Sequence, residues 1–420
     1  MIQRRHVLCC SAALSAGLFT GLDARAGGWR NPCRAALPAE LAQHPLLVQA
    51  FDDIDPVALW DMHAHLLGTG DSGSGCTVHA SMQQWWHPVE VLRRKVLLNA
   101  ACVAPDAASV DVAYVARLRA LASDFPSGAR WLLFAFDQAC DDRGDVAPQW
   151  TTFHVPNTYA AQVAAASPER FGWVASVHPY RHDALERLDA TLAAGALALK
   201  WLPSAMNIDL RDARCRPFYE RLRARRVPLI VHCGEEKAVT GADREAYGNP
   251  LRVRAALEAG VTVVVAHAAS LGAALDLDRR SQPRRAAFDL WARLMDEPAW
   301  RGLLYADLSA VFQVNRRPTV WRTLLQRDDW HARLLHGSDY PLPGVMPLYD
   351  PAGLAAEGLL DEAAVAPLRA IRDHNPLLFE FVLKRSVRSG TARLHPLVFD
   401  TRRLWAGRGY SALATGGTTR

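Results

Sequence analysis

The chain is expected to fold as one α/β catalytic domain, a (β/α)8 or TIM barrel, and three observations carry that expectation. Short apolar runs recur at residues 59–63, 131–136, 171–177, 196–202, 228–232, 261–267, 302–308 and 333–337. Amphipathic stretches separate several of them, the pattern of parallel strands covered on both faces. Five runs end in residues able to bind a metal, and in a barrel such ends meet at one mouth. An open doubly wound sheet is the competing arrangement.

The helical stretches support the same plan. Residues 183–194 place Leu185, Leu188 and Leu192 at helical spacing. Residues 217–225 and 250–259 repeat the pattern, with Pro near the start and Gly260 just past the end of the second. Residues 351–385 read as helix through Leu368, Ile371, Leu378, Phe379 and Val382. The long connections, 68–87, 138–159, 234–249 and 268–283, all follow strand-like runs. A barrel gathers them at its C-terminal face, where active sites form.

The expected organisation has four parts. Residues 1–26 are a signal peptide: Arg4 and Arg5, an apolar run, then Ala24 and Ala26 as a small-residue cleavage pattern. The paired arginines suit a twin-arginine signal, and a general secretory signal fits as well. Residues 27–58 form an N-terminal extension, 59–385 the barrel, and 386–420 a C-terminal tail whose Gly- and Thr-rich end, 412–420, is expected to be disordered. The apolar run is too short to span a membrane, and no later segment looks transmembrane. The location expected is therefore periplasmic or secreted, without membrane attachment after cleavage.

Composition sets further bounds. The 420 residues are 50% hydrophobic and 22% charged, with a formal net charge of +5. That charge is too small to argue for nucleic acid or an anionic membrane. A small-molecule substrate is the expected partner, and a homo-oligomer fits as well as a monomer. Beyond Cys9 and Cys10 lie Cys33, Cys76, Cys102, Cys140, Cys215 and Cys233. An oxidising compartment allows disulfides among them, but sequence gives no pairing. Cys233 reads as a packed core thiol.

The first strand, Leu-Trp-Asp-Met-His-Ala-His, sets His63 and His65 two residues apart. Residues i and i+2 of a strand share a face, so both imidazoles can hold one divalent ion. Lys200, His232 and His267 then end the fourth, fifth and sixth runs, and Asp339 follows the eighth in Gly-Ser-Asp-Tyr-Pro.

This constellation resembles the amidohydrolase superfamily, specifically its amidohydrolase-related branch, over residues 59–381. The resemblance implies a distorted barrel with one or two divalent metals, zinc first among the candidates, at the C-terminal face. It implies metal ligation by His63, His65, His232 and Asp339. It makes His267 either a ligand of a second metal or an imidazole that polarises substrate. Lys200 is either a carbamate bridging two metals or a cation contacting substrate. Asp339 and His267 would be catalytic. The expected activity is hydrolysis of an amide, lactone or ester by a metal-activated water. A decarboxylase or hydratase on the same barrel is the alternative, and a non-catalytic binding protein the second.

His178 ends the third run and is expected to line the pocket; Glu235, Glu236 and Lys237 are expected to touch substrate or support a ligand. Gly68, Gly70 and Gly73 spell Gly-x-Gly-x-x-Gly, but no helix follows to receive a pyrophosphate, so a flexible loop over the site is expected. Trp85 and Trp86 in that region read as helix packing ahead of a lid. His154, His182, His336 and His374 read as structural, and the arginines of 279–285 as a solvated face. No Gly-x-Ser-x-Gly elbow exists.

Overall fold

The computed structural model describes residues 29–239 and 241–408. The expected signal peptide and the expected disordered end lie outside the described residues.

Eight parallel strands form in the predicted order, each trimmed to where its backbone pairs. They are β1 (Trp60–His65), β2 (Arg130–Phe134), β3 (Phe171–Val174), β4 (Leu199–Trp201), β5 (Leu229–His232), β6 (Val263–Ala266), β7 (Leu304–Asp307) and β8 (Leu334–Leu335). They pair as two ladders, β1-β2-β3 and β4-β5-β6-β7-β8. Isolated parallel bridges join the ladders at two seams, Ala175↔Leu199 and Ala64↔Tyr340. The first seam gains Lys200 N–H donated to Ala175 O at 2.7 Å. The second gains Asp339 N–H donated to His63 O at 2.7 Å and His65 N–H donated to Tyr340 O at 2.9 Å. The result is a distorted TIM barrel.

Strand alternation divides the core in two. Met62, Leu132, Phe134, Val174, Ala198, Ile230, Val264 and Leu335 pack in one inner cluster. Leu133, Ala175, Leu199, Val231, Val265 and Ala306 point the other way, against the helices. The inward parity then continues upward: Lys200 lies two residues past Ala198, and His232 two past Ile230. Burying side chains of this size contributes roughly 1.5–3 kcal/mol each.

The helices follow the expected pattern with local changes. Residues Ala184–Ala193 and Arg216–Ala224 are α-helical, whereas the 250–259 stretch starts as 3-10 turns at Pro250–Val253 before a short helix at Arg254–Glu258. The 351–385 stretch is three helices, Pro351–Ala356, Glu362–His374 and Pro376–Ser386, because Gly358 at φ +70° and the Asn375-Pro376 step each end a helix. No helix among the described residues is long and apolar enough to cross a membrane.

Both extensions belong to the folded body. Phe51, after the short helix Pro45–Ala50, stacks on Phe381 at 4.7 Å. A disulfide joins Cys33 to Cys102, and Cys76, Cys140, Cys215 and Cys233 are free, buried thiols. The 3-10 segment Thr401–Arg408 reaches the strand starts, where Trp405 meets Trp60 at 5.4 Å and donates its indole N–H to Leu197 O at 2.9 Å. It caps the end of the barrel opposite the metal-capable residues.

The glycine-rich loop is not the flexible lid expected from sequence. Its backbone wraps the buried carboxylate of Asp111, at the start of helix Val110–Ser123. Asp111 accepts from Thr69 N (2.6 Å), Gly70 N (3.3 Å), Ser72 Oγ (2.9 Å) and Ser74 Oγ (2.6 Å). A Cβ on Gly68 would stand 2.6 Å from Asp111 Oδ1, so only glycine fits. Asp71 in turn accepts from Ser109 Oγ and the backbone N–H groups of Val110 and Asp111. Those hydrogen bonds outweigh the upward effect of burial and hold its carboxyl at about 2. The motif cradles an anion, but the anion is the chain's own side chain. Trp85 and Trp86 are exposed rather than packed into the helix face.

Candidate metal centre

A register shift in β1 sets up the site. Trp60 and Met62 pack in the inner cluster, but the pairing with β2 slips between Asp61 and Ala64. Ala64 then joins the outer cluster, so His63 and His65 both turn inward. Asp61 fixes this stretch: its Oδ1 accepts the backbone N–H groups of His63 (3.0 Å) and Ser338 (2.9 Å), tying β1 to the segment after β8. Burial pushes the Asp61 carboxyl up to about 6 against those bonds.

Three donor atoms converge above that stretch. His63 Nε2 and His65 Nε2 lie 3.3 Å apart. Asp339 Oδ1 lies 3.4 Å from the first and 3.1 Å from the second. Ligand atoms of a tetrahedral zinc site with bonds of about 2.1 Å stand about 3.4 Å apart. Asp339 takes a left-handed backbone, φ +61°, and so does His267, φ +55°. Such conformations cost roughly 1–3 kcal/mol each and collect at functional sites.

Hydrogen bonds decide which nitrogens are bare. A carboxylate only accepts, so His63 Nδ1 carries the proton it donates to Asp307 Oδ2 at 2.9 Å. His63 Nε2 therefore presents a lone pair to Asp339, an arrangement of acceptors that a cation between them would satisfy. His267 follows the same logic: Nδ1–H donates to Ser309 O at 2.9 Å, leaving Nε2 bare, 4.0 Å from Asp339 Oδ2. His232 Nδ1 stands 3.3 Å from Glu236 Oε2, and its buried Nε2 has no hydrogen-bond partner among the described residues. The His232 ring centre is 5.2 Å from that of His267. The donor set thus fits a divalent metal on His63, His65 and Asp339, with the bare nitrogens of His232 and His267 beside it.

The electrostatics agree with neutral imidazoles around ionised acids. Burial, then the charge of Lys200, lowers His63 to about 4. Burial likewise lowers His232 and takes His267 well below its ordinary value. Burial would raise Asp339, but His267, His65 and His63 hold it well below the usual carboxylate range. Lys200 Nζ is buried without a hydrogen-bond partner among the described residues, 5.2 Å from the centre of the Phe134 ring. Burial lowers its pKa, opposed by Asp307, Asp339 and Glu236. That shift favours the neutral amine a carbamate requires.

Other expected residues fall outside this group. His178 is buried, but Nε2–H donates to Met206 O at 2.6 Å and Nδ1 accepts from Tyr180 N at 3.1 Å. With both ring nitrogens used by backbone, it fixes a loop and has none left for substrate. Glu235 is exposed and pairs with Lys237 at 3.4 Å. It lines a cleft of about 480 Å³ together with Glu236, Lys237, Arg244 and Arg284, and Glu236 links this cleft to His232.

Asp307 and Ser309 were not anticipated. Asp307 is wholly buried at the end of β7 and accepts through Oδ1 from the backbone N–H groups of His267 and Ser309, both at 3.1 Å. Ser309 Oγ also donates to it. The signal was present: Leu-Tyr-Ala-Asp ends an apolar run in an acid, as five other runs end in a metal-capable group.

The sequence profile of the amidohydrolase family matches residues 60–377, and the chain belongs to that family. It is a family of metal-dependent enzymes. Among solved structures, the chain is similar to an uncharacterized TIM-barrel protein of Bordetella bronchiseptica, at 17% identity and a TM-score of 0.44, covering 69% of this chain and 88% of that one. It is similar to a 2,6-dihydroxybenzoate decarboxylase at 14% identity and a TM-score of 0.41, covering 76% and 98%. It is also similar to a 4-oxalomesaconate hydratase of Rhodopseudomonas palustris at 12% identity and a TM-score of 0.39, covering 84% and 99%. No curated protein matches the chain in sequence.

Proposed function

We propose that this chain is an exported, metal-dependent hydrolase acting on an amide, lactone or ester bond of a small organic substrate. The observation that carries this is the convergence of His63 Nε2, His65 Nε2 and Asp339 Oδ1 within 3.4 Å, with His63 aimed by Asp307. Those three residues would hold zinc or a similar divalent ion, with His232 and His267 as further donors and Lys200, as a carbamate, able to bridge two. When bound, such an ion supplies Lewis acidity and brings the pKa of a water from about 15.7 to near 7.

The chain's own part is proton handling and positioning. Asp339, held ionised at neutral pH, takes the proton from the attacking water and returns it to the leaving nitrogen or oxygen. His267 Nε2 is an acceptor in its native tautomer, so it ligates or takes a proton, and it cannot polarise a carbonyl by donating from that atom. Lys200, if not carboxylated, faces substrate as an amine. The Cys33–Cys102 disulfide supports an oxidising, exported setting.

A lyase reading has its own support. His267 Nε2 and Asp339 Oδ2 face one another at 4.0 Å, and such a couple can move a proton on and off a carbon beside a held carboxylate. The test is metal analysis of protein purified without chelators, with assays of ester, lactone and amide hydrolysis and of carbon dioxide release. Bound metal, with hydrolysis lost in Asp339→Asn, is the expected result. Carbon dioxide release without hydrolysis replaces it by the lyase. Absence of metal, even after metal is supplied, overturns both.

A further inference from the structure

The loop after β7 delivers a second charged group to the mouth of the barrel. Arg316 is buried, 8% exposed, although it follows a turn rather than a strand. Its Nε donates to Ser270 Oγ at 2.9 Å, and its Nη1 to Asn315 Oδ1 at 2.6 Å. Ser270 is itself tied back to the centre, because its backbone N–H donates to His267 O at 2.9 Å. Both acceptors on the guanidinium are neutral. No carboxylate lies within 4.0 Å of it among the described residues, and its Nη2 has no hydrogen-bond partner there. The carboxylates of Asp339, Glu236 and Glu235 stand near enough to act on its charge without touching it.

The other buried arginine among the described residues shows what a structural role looks like in this chain. Arg372 is buried and spends Nε, Nη1 and Nη2 on the carbonyls of Pro343, Met346, Tyr349 and Val345. Arg252, only half-buried, has a counter-charge in the Asp209 carboxylate. A guanidinium as buried as that of Arg316, with Nη2 unspent and no carboxylate paired directly to it, gains from a partner that completes it. The planar fork it leaves open matches a carboxylate, which can accept two parallel N–H bonds.

We infer that Arg316 receives a carboxylate carried by the substrate, so that this centre acts on a small organic acid whose reacting bond is presented to His63, His65 and Asp339. This rests on the proposed metal centre and adds the substrate class. Arg316 is then a specificity-determining residue, held by Ser270 and Asn315 so that Nη2 stays free.

The test compares metal-loaded full chain with Arg316→Gln, Arg316→Met and Arg316→Lys. The probes are matched pairs: acetate, 3-methylbutanoate, cyclohexanecarboxylate and benzoate, each against its primary amide, with inorganic phosphate as a further arm. Affinity is measured by calorimetric titration and metal content on the same samples. At least one carboxylate should bind the wild type about tenfold or more tighter than its amide, the range for hydrogen bonds to a charged group. Arg316→Gln and Arg316→Met should erase that preference with metal content unchanged, and Arg316→Lys should keep part of it. A preference that survives in the neutral variants puts the carboxylate on the metal and overturns the inference. So does a wild type without preference, or one that prefers phosphate to every carboxylate. Neutral variants that fail to fold assign Arg316 a structural role and overturn it too. A wild type that holds no metal fails the proposed centre instead, and is recognised by the metal analysis alone.

Discussion

Asp307 sets the tautomer of His63. Its Oδ2 accepts the Nδ1–H at 2.9 Å, while its Oδ1 is filled by backbone N–H groups and Ser309 Oγ, so the carboxylate has one place to point. Changing Asp307 to Asn keeps the size but offers an N–H₂ group to His63 Nδ1, which would move the ring proton to Nε2. We expect metal affinity to fall by about 10–100-fold, the usual effect of losing such a supporting group. A competitive metal titration with a chelating dye checks it, and an unchanged affinity removes Asp307 from the centre.

Asp339 lies within 4.0 Å of the imidazoles of His63, His65 and His267 and is the group assigned to proton transfer. Asp339→Asn should lower turnover by about 100-fold or more, the scale of general acid–base catalysis. Restoring metal occupancy with excess ion should not restore the rate. Steady-state kinetics at saturating metal separates a lost proton carrier from a lost ligand.

Acid should destabilise the fold through its buried rings. Burial lowers His178 to about 4 from its ordinary value of 6.5. Between those values the unfolded chain binds a proton that the folded ring refuses. Stability present at neutral pH is therefore lost as pH falls from about 6.5 to about 4, at roughly 1.4 kcal/mol per pH unit for each such ring. In chelator-treated protein, His178→Gln should take up about one proton fewer on unfolding than wild type at pH 5. Calorimetry in buffers of different ionisation enthalpy reads that number, and an equal uptake contradicts the assignment.

The Asp111 carboxylate holds the glycine-rich loop. Asp111→Ala removes the acceptor for five groups at once and should cost about 2–3 kcal/mol. Gly68→Ala should destabilise through its contact with the same carboxylate. Thermal melts give the sizes, and limited proteolysis should newly cut within residues 68–76 in both variants. Resistance to cutting would mean the loop is held by something else.

The disulfide anchors the N-terminal extension to the end of helix Pro88–Ala100, closing a loop of 69 residues. Replacing Cys33 and Cys102 with alanine should cost about 2–4 kcal/mol. Non-reducing peptide mapping should recover that pair alone, with Cys76, Cys140, Cys215 and Cys233 unlabelled until the chain unfolds.

The strands were legible because their runs are apolar on both faces and each ends in a polar residue, as Leu-Ile-Val-His and Val-Val-Val-Ala-His do. The convergence of His63, His65 and Asp339 was legible for the same reason. Asp307 carries the same signal, and an Asp after Tyr-Ala also reads as a turn. His178 misled because a histidine at a strand end looks alike whether its nitrogens face a pocket or a backbone carbonyl. The choice of Glu236 over Glu235 as the partner of His232 depends on loop path, and so does the burial of Arg316. Neither has a periodic trace in sequence. The tautomers of His63 and His267 follow from hydrogen-bond partners far along the chain.

The seam between β1 and β8 has a mechanical meaning. His63 and His65 stand on one lip and Asp339 on the other, and the main chain there is stitched by a single bridge and its flanking hydrogen bonds. An ion held by all three residues would rivet the lips together, so that loading the centre and closing the ring become one equilibrium. Chelation should then loosen amide protons of residues 62–65 and 338–340 ahead of the rest of the barrel. The same ion that does the chemistry would be the last fastener of the fold.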